Sequence, residues 1–111
     1  MKNLLMSSVL ATISATSAMA GDAAEGEGVF NRWCLACHAE HPLAPATIYL
    51  SAKLGPDLGA IRANTDLEPD YIAYMVRNGQ GSMPNFRRTE ITNDELDSLL
   101  AYFQSLKEAK Q

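Results

Sequence analysis

The sequence predicts a small all-α domain. Three observations carry that expectation. Beyond residue 20 the apolar residues recur at helical spacing, and the stretches that carry them are set apart by Pro- and Gly-marked loops. One segment opens on a Thr-x-x-Glu capping box, Thr92 with Glu95. No segment alternates with the period of a strand.

The chain begins with Lys2, a mostly apolar run from Leu4 to Ile13, and Ala18-Met19-Ala20. This reads as a secretory signal peptide, residues 1–20, cleaved after Ala20. The apolar run falls well short of the roughly 20 residues that a membrane span needs. The expected mature chain, 21–111, is one domain exported to the periplasm, with no membrane insertion after cleavage. It keeps eight Lys and Arg against thirteen Asp and Glu, a net of −5. That charge argues against nucleic acid as a partner.

A first helix is expected from about Ala24 to Cys37, where Val29, Phe30, Trp33, Cys34 and Cys37 form one stripe. Residues 39–60 contain His41-Pro42, Ala44-Pro45 and Gly55-Pro56 and read as loop, with at most a helical turn at Thr47–Lys53. A middle helix is expected from about Pro69 to Asn78: Pro69 suits its first position, Gly79 its C-terminal cap, and Ile72, Met75 and Val76 its apolar face. The last helix follows Thr92, with Leu96, Leu99, Leu100, Phe103 and Leu106 on one side. Asp94 and Glu95 lie at its positive end, Lys107 and Lys110 at its negative end.

Residues 34–38 read Cys-Leu-Ala-Cys-His. Cys-x-x-Cys-His is the signature of c-type haem attachment: two thiols on one helical turn each take a vinyl group, and the adjacent imidazole lies under the iron. Cys34 and Cys37 are the only cysteines, so none is left for a disulfide. An iron held by His38 on one face needs a ligand on the other. Met83 is the candidate. It sits in a glycine-bearing loop, Gly79-Gln80-Gly81-Ser82-Met83-Pro84, whose proline fixes the backbone. Met75, on the apolar face of the middle helix, reads as core. A His/Met axial pair raises the reduction potential. Other readings of these residues are weaker. A thioredoxin-like Trp33-Cys34-x-x-Cys37 would need a preceding strand. A zinc site built from Cys34, Cys37, His38 and His41 would lack a second ligand pair. His41, three residues past His38, is badly placed for the opposite face of a haem.

In order along the chain, these residues resemble the class I cytochromes c. Gly26, Val29 and Phe30 match the family's first helix, Leu99 and Tyr102 its last, Cys34, Cys37 and His38 its haem motif, and Met83-Pro84 its axial Met-Pro. The resemblance implies a small cytochrome c fold, with N- and C-terminal helices crossing and a middle helix and loops around one covalent haem c. Gly55-Pro56-Asp57-Leu58 resembles the family's Gly-Pro-x-Leu loop, which implies that the Pro56 carbonyl accepts a hydrogen bond from His38 Nδ1. The stretch from His38 to Gly55 is longer than in the shortest members. Glu68 stands where a Ser or Thr cap is usual. The implied function is one-electron transfer rather than catalysis, since iron ligated on both faces has no open position. Tyr49, Arg62 and Asn85 are candidate polar partners of the haem propionates or the Met sulfur. Lys53, Arg87 and Arg88 are candidates for a basic rim.

Segment 66–92, above all Val76 to Phe86, also resembles the cytochrome subunits of flavocytochrome hydroxylases such as p-cresol methylhydroxylase and eugenol hydroxylase. That resemblance implies a flavoprotein partner acting on 4-alkylphenols. The alternatives are a free periplasmic shuttle serving a terminal oxidase, and a haem sensor or peroxidase with labile Met83 ligation.

Overall fold

A computed structural model describes residues 20–111. The expected signal peptide, apart from Ala20, lies outside the described residues. The described chain forms five α-helices and no strand: α1 Ala23–Trp33, α2 Leu35–His38, α3 Pro45–Leu54, α4 Pro69–Asn78 and α5 Asn93–Ala109, with a 3-10 turn at Pro56–Leu58 between α3 and α4.

Helix α1 starts where the Asp22 side chain accepts the Glu25 amide at 3.0 Å. It ends earlier than the apolar stripe suggests. At Cys34 the backbone φ stretches to −112°, and α2 follows as a separate turn. The ladder itself continues, since Cys34 N–H donates to the Phe30 carbonyl (2.8 Å) and His38 N–H to the Cys34 carbonyl (2.9 Å). Residues 39–60 hold a ten-residue helix, α3, rather than a loop with one turn. Pro45 opens it and Gly55 closes it, the same punctuation that marks α4.

The core forms where α1 lies against α5. Phe30, Leu99 and Ile91 are fully buried, and Val29, Ile72, Val76, Leu96 and Tyr102 complete the cluster. Each large apolar side chain buried this way contributes roughly 1.5–3 kcal/mol. Phe30 meets Tyr102 and Phe103 at ring-centroid distances of 6.0 and 5.9 Å. Gly26 sets how closely the two helices approach. A Cβ there would run into the Ser98 carbonyl and lie 2.8 Å from Tyr102 Cβ. Beside it, buried Ser98 accepts the Asp22 amide (3.2 Å) and donates to the Glu25 carboxylate (3.3 Å).

Helix α5 carries the expected capping box in full: Glu95 N–H to Thr92 Oγ1 (3.1 Å), and Thr92 N–H to the Glu95 carboxylate (2.8 Å). Because α5 is half of the core, Thr92→Ala should lower stability by about 1 kcal/mol, read as a fall in the thermal midpoint with unchanged visible absorption. Helix α4 has no side-chain N-cap, as Glu68 foretold; that side chain instead pairs with Lys107 of α5 at 3.4 Å.

Candidate functional site

The candidate ligands sit on two separate lobes. One lobe is α2, α3 and the 3-10 turn, which pack on one another and join α1 through α2. The other is α4 with the loop after it, and α4 packs on α5. Among the described residues no helix of the first lobe contacts α4. The α1–α5 pair holds the two lobes in place.

On the first lobe Cys34 is half-buried and Cys37 exposed; both are free thiols. Burial, and secondarily the neighbouring Cys37, pushes the Cys34 thiol up to about 11. This is opposite to the depressed value of a redox-active Cys-x-x-Cys nucleophile. With no strand before it, the pair is not a thioredoxin-like site. His38 closes α2. Burial pushes its pKa down, so the ring is neutral, the form that binds a metal. His38 Nδ1 is buried without a hydrogen-bond partner among the described residues. Pro56 heads the 3-10 turn in an exposed position, and its carbonyl does not accept from Nδ1 here.

What positions His38 comes from α3. Buried Thr47 donates its hydroxyl to the carbonyl of Ala39, the residue after His38, at 2.6 Å. The sequence gives one clue to this bond, the Pro45 and Gly55 that bracket α3. His41 is exposed and turned to its own loop, where Nδ1 accepts the Leu43 amide at 3.1 Å. No group of three or more His, Cys, Asp or Glu is placed to hold a metal ion among the described residues, which disposes of the zinc reading there.

On the second lobe Met83 is half-buried in a tight turn. Its amide and carbonyl pair with the carbonyl and amide of Gln80 at 3.0 and 3.1 Å. Gly81 takes the positive φ (+58°) that such a turn needs at its first central position. Gly79 ends α4 at φ +66°, and a Cβ on it would lie 2.7 Å from the Pro84 carbonyl carbon and 2.9 Å from the Asn85 nitrogen. Met75 is half-buried on α4, beside the buried pair Ile72 and Val76.

The remaining candidates divide. Arg62 is built into the protein. Its guanidinium lies 4.9 Å from the Phe30 ring centre, donates to Tyr102 Oη (3.4 Å) and pairs with Glu40 (3.0 Å). The Tyr102 bond and the Glu40 charge raise its pKa. Its Nε is buried and has no partner among the described residues, as is the indole Nε1 of Trp33, next to Cys34. Tyr49 is exposed with the Lys53 ammonium 5.7 Å over its ring. Asn85 lines a surface cavity of about 290 Å³ together with Arg77, Phe86, Arg87 and Arg88. Neither thiol, His38 nor Met83 lines that cavity. Arg87 and Arg88 are thus grouped with Arg77, not with Lys53 of α3.

These surroundings fit a large flat apolar group between the lobes. Among the described residues a buried imidazole nitrogen lacks a partner, two free thiols precede it in the same turn, and the Met83 thioether is half-buried on the other lobe. Large apolar side chains are exposed on both: Ile48, Tyr49, Leu54 and Leu58 on the first, Tyr71 and Tyr74 on the second.

Comparison with known proteins gives the same answer. The family model described as "Cytochrome C oxidase, cbb3-type, subunit III" matches residues 21–103. The chain is 39% identical over 82 residues to cytochrome c6 of Picosynechococcus sp., covering 70% of each chain. It is 30% identical over 102 residues to cytochrome c6 of Cyanidioschyzon merolae, covering 92% of this chain and 91% of that one. Cytochrome c-552 of Bradyrhizobium diazoefficiens is 28% identical over 94 residues, 85% and 84% of the two chains. No solved structure matches. The chain belongs to the class I c-type cytochromes, small electron carriers with one covalently bound haem c.

Proposed function

We propose that Cys34 and Cys37 anchor the haem, that His38 and Met83 are its axial ligands, and that the domain carries single electrons between partners in the periplasm. The observation that carries this reading is the placement of His38 and Met83 on two lobes whose described helices do not contact one another and which α1 and α5 join. Cys34 and Cys37 would each hold the haem through a thioether to one of its vinyl groups, an addition of S–H across the double bond that would need no oxidant. The raised Cys34 pKa keeps that thiol protonated before attachment. When bound, the haem supplies a one-electron ferric/ferrous couple.

The protein's own part is to hold both ligands, exclude water and fix charge nearby. His38 enters neutral, so no proton has to leave the ring as it ligates. Pro56, whose carbonyl does not accept from His38 Nδ1 in this structure, is proposed to do so in the haem-bound protein, beside the Thr47 bond that already holds the segment. Arg62 Nε and Trp33 Nε1 are the buried donors proposed for the propionates, ahead of Tyr49 and Asn85. Export by the leader 1–20, cleaved after Ala20, would give a mature domain 21–111. Among the described residues no helix is long and apolar enough to cross a membrane.

For the partner, we infer a diffusible shuttle first. Its support is the run of small cytochromes that the chain matches over most of their length. The resemblance of Val76–Phe86 to flavocytochrome subunits supports the second reading, a flavoprotein dehydrogenase acting on 4-alkylphenols. The test is gentle purification of the mature holoprotein from its native periplasm, with a one-electron redox titration. A monomer that takes up one electron and binds no carbon monoxide when ferrous is the result expected of a shuttle. A co-purifying flavoprotein that reduces this haem on addition of a 4-alkylphenol replaces it with the second reading. Carbon monoxide binding to the native ferrous protein would contradict both and favour a sensor or peroxidase with labile Met83.

A further inference from the structure

We propose that Arg77 is the positioning residue that holds Met83 on the iron, by clamping the far side of the Met83 loop to the end of α4. The proposal rests on Met83 being the axial ligand. A helix leaves its last carbonyls without intrahelical partners. In α4 the Met75 carbonyl takes the Gly79 amide (2.8 Å), and the Val76 carbonyl takes the amide of Phe86, three residues past Met83, also at 2.8 Å. The Arg77 guanidinium adds a second tie at the same place. One Nη donates to the Phe86 carbonyl (3.2 Å) and the Ile91 carbonyl (2.7 Å), and the other to Asn93 Oδ1 (3.0 Å).

The loop thus starts at Gly79, pressed against Pro84 and Asn85, and returns to the same helix turn at Phe86. Within it, Met83 is tied only to Gln80. Among the described residues Arg77 is the one side chain outside the loop that donates to the backbone of residues 80–91. The shape of the guanidinium matters here. One planar fork reaches two carbonyls and a side-chain amide at once, which an ammonium cannot do in the same geometry. The neighbouring arginines make no such tie: Arg87 turns to Glu90 within the loop and Arg88 to Asn93.

A bond between iron and thioether sulfur is weak enough that small outside ligands compete with it. The clamp sets that competition by keeping the loop from swinging away. Hydrogen bonds from a charged donor to buried acceptors are among the stronger ones in proteins. Losing them should favour the open loop on the order of tenfold or more.

The experiment compares ferric holoprotein of wild type, Arg77→Gln, Arg77→Lys and Asn93→Ala, titrated with imidazole, with Met83→Ala as reference. Two readouts are followed on heating: the weak far-red band of a ferric His/Met haem, and helical circular dichroism. The expected result is imidazole binding about tenfold tighter in Arg77→Gln, partly restored in Arg77→Lys. The far-red band should be lost well below the temperature at which the helices melt. Wild-type imidazole affinity in Arg77→Gln would overturn the proposal. So would band and helix loss shifted together, which is what a merely structural arginine gives. Should Arg77→Gln fail to fold, Arg77→Lys and Asn93→Ala decide by the same criteria. Failure of the underlying reading looks different: wild type and Met83→Ala would then share one spectrum and one imidazole affinity.

Discussion

Replacing both Cys34 and Cys37 by alanine will abolish covalent haem attachment, and either single replacement will leave one thioether. The expectation follows from position. The cysteines flank a single turn next to His38, both are free, and no other thiol exists in the chain to substitute. The consequence reaches beyond the cofactor. Among the described residues no helix of one lobe contacts a helix of the other, and large apolar residues on both are exposed. A group that binds the folded form alone stabilises it by mass action, and covalent attachment makes that contribution permanent. The double variant should therefore release all haem on acidified-acetone extraction, with no mass increment on the polypeptide. Its helical signal should melt at a lower temperature and over a broader range than the holoprotein's. A double variant that keeps a non-extractable haem would refute the attachment assignment.

Gly26→Ala will destabilise the holoprotein, although alanine is the better helix former. The two effects oppose each other, and their sizes decide. Gly to Ala within a helix gains about 1 kcal/mol. Against it, the new Cβ meets Ser98 backbone and lies 2.8 Å from Tyr102 Cβ. Backbone on a packed helix cannot rotate aside as a side-chain tip can, so α1 and α5 must part. Overpacking of this kind costs about 3 kcal/mol or somewhat more when backbone is forced to move. The net is a loss of about 2 kcal/mol, a fall in thermal midpoint of roughly 10 °C for a domain of this size. The far-red band should remain at room temperature, since neither ligand is touched. A midpoint equal to or above wild type would show that the two helices do not meet at Gly26.

The parts of this molecule that were legible in the sequence are those whose causes are local. The capping box of α5, the Pro69–Gly79 frame of α4 and the Cys34–His38 motif lie within a few residues of what they determine. Helix α3 was hidden for two reasons. Its proline and glycine signals lie in a stretch with several such residues. It also has no apolar stripe: Ile48, Tyr49 and Leu54 are exposed, and its one buried residue is Thr47. A periodicity argument finds helices that bury an apolar stripe against protein, and α3 does not. The end of α1 at Cys34 was equally hidden, because the apolar spacing runs on through the motif while the backbone does not.

The candidate site divides the same way. Cys34, Cys37, His38 and Met83 could be named from motif and loop chemistry. The residues that hold the loops could not. Thr47 reaches back eight positions to Ala39, and Arg77 reaches forward nine to Phe86 and fourteen to Ile91. Such contacts depend on where whole helices pack, which no short spacing encodes. Arg62 was visible as a candidate polar partner, but its place over Phe30 and beneath the Tyr102 hydroxyl was not.

The central claim is that His38 and Met83 face each other across one haem. Its most direct test is the ferric and ferrous spectrum and the midpoint potential of the mature holoprotein beside Met83→Ala. The account predicts a low-spin wild type with the far-red band, no carbon monoxide binding when reduced, and a higher potential than the variant. The variant should lose the band, bind carbon monoxide when reduced and titrate at lower potential. Identical spectra and potentials in the two proteins would contradict it.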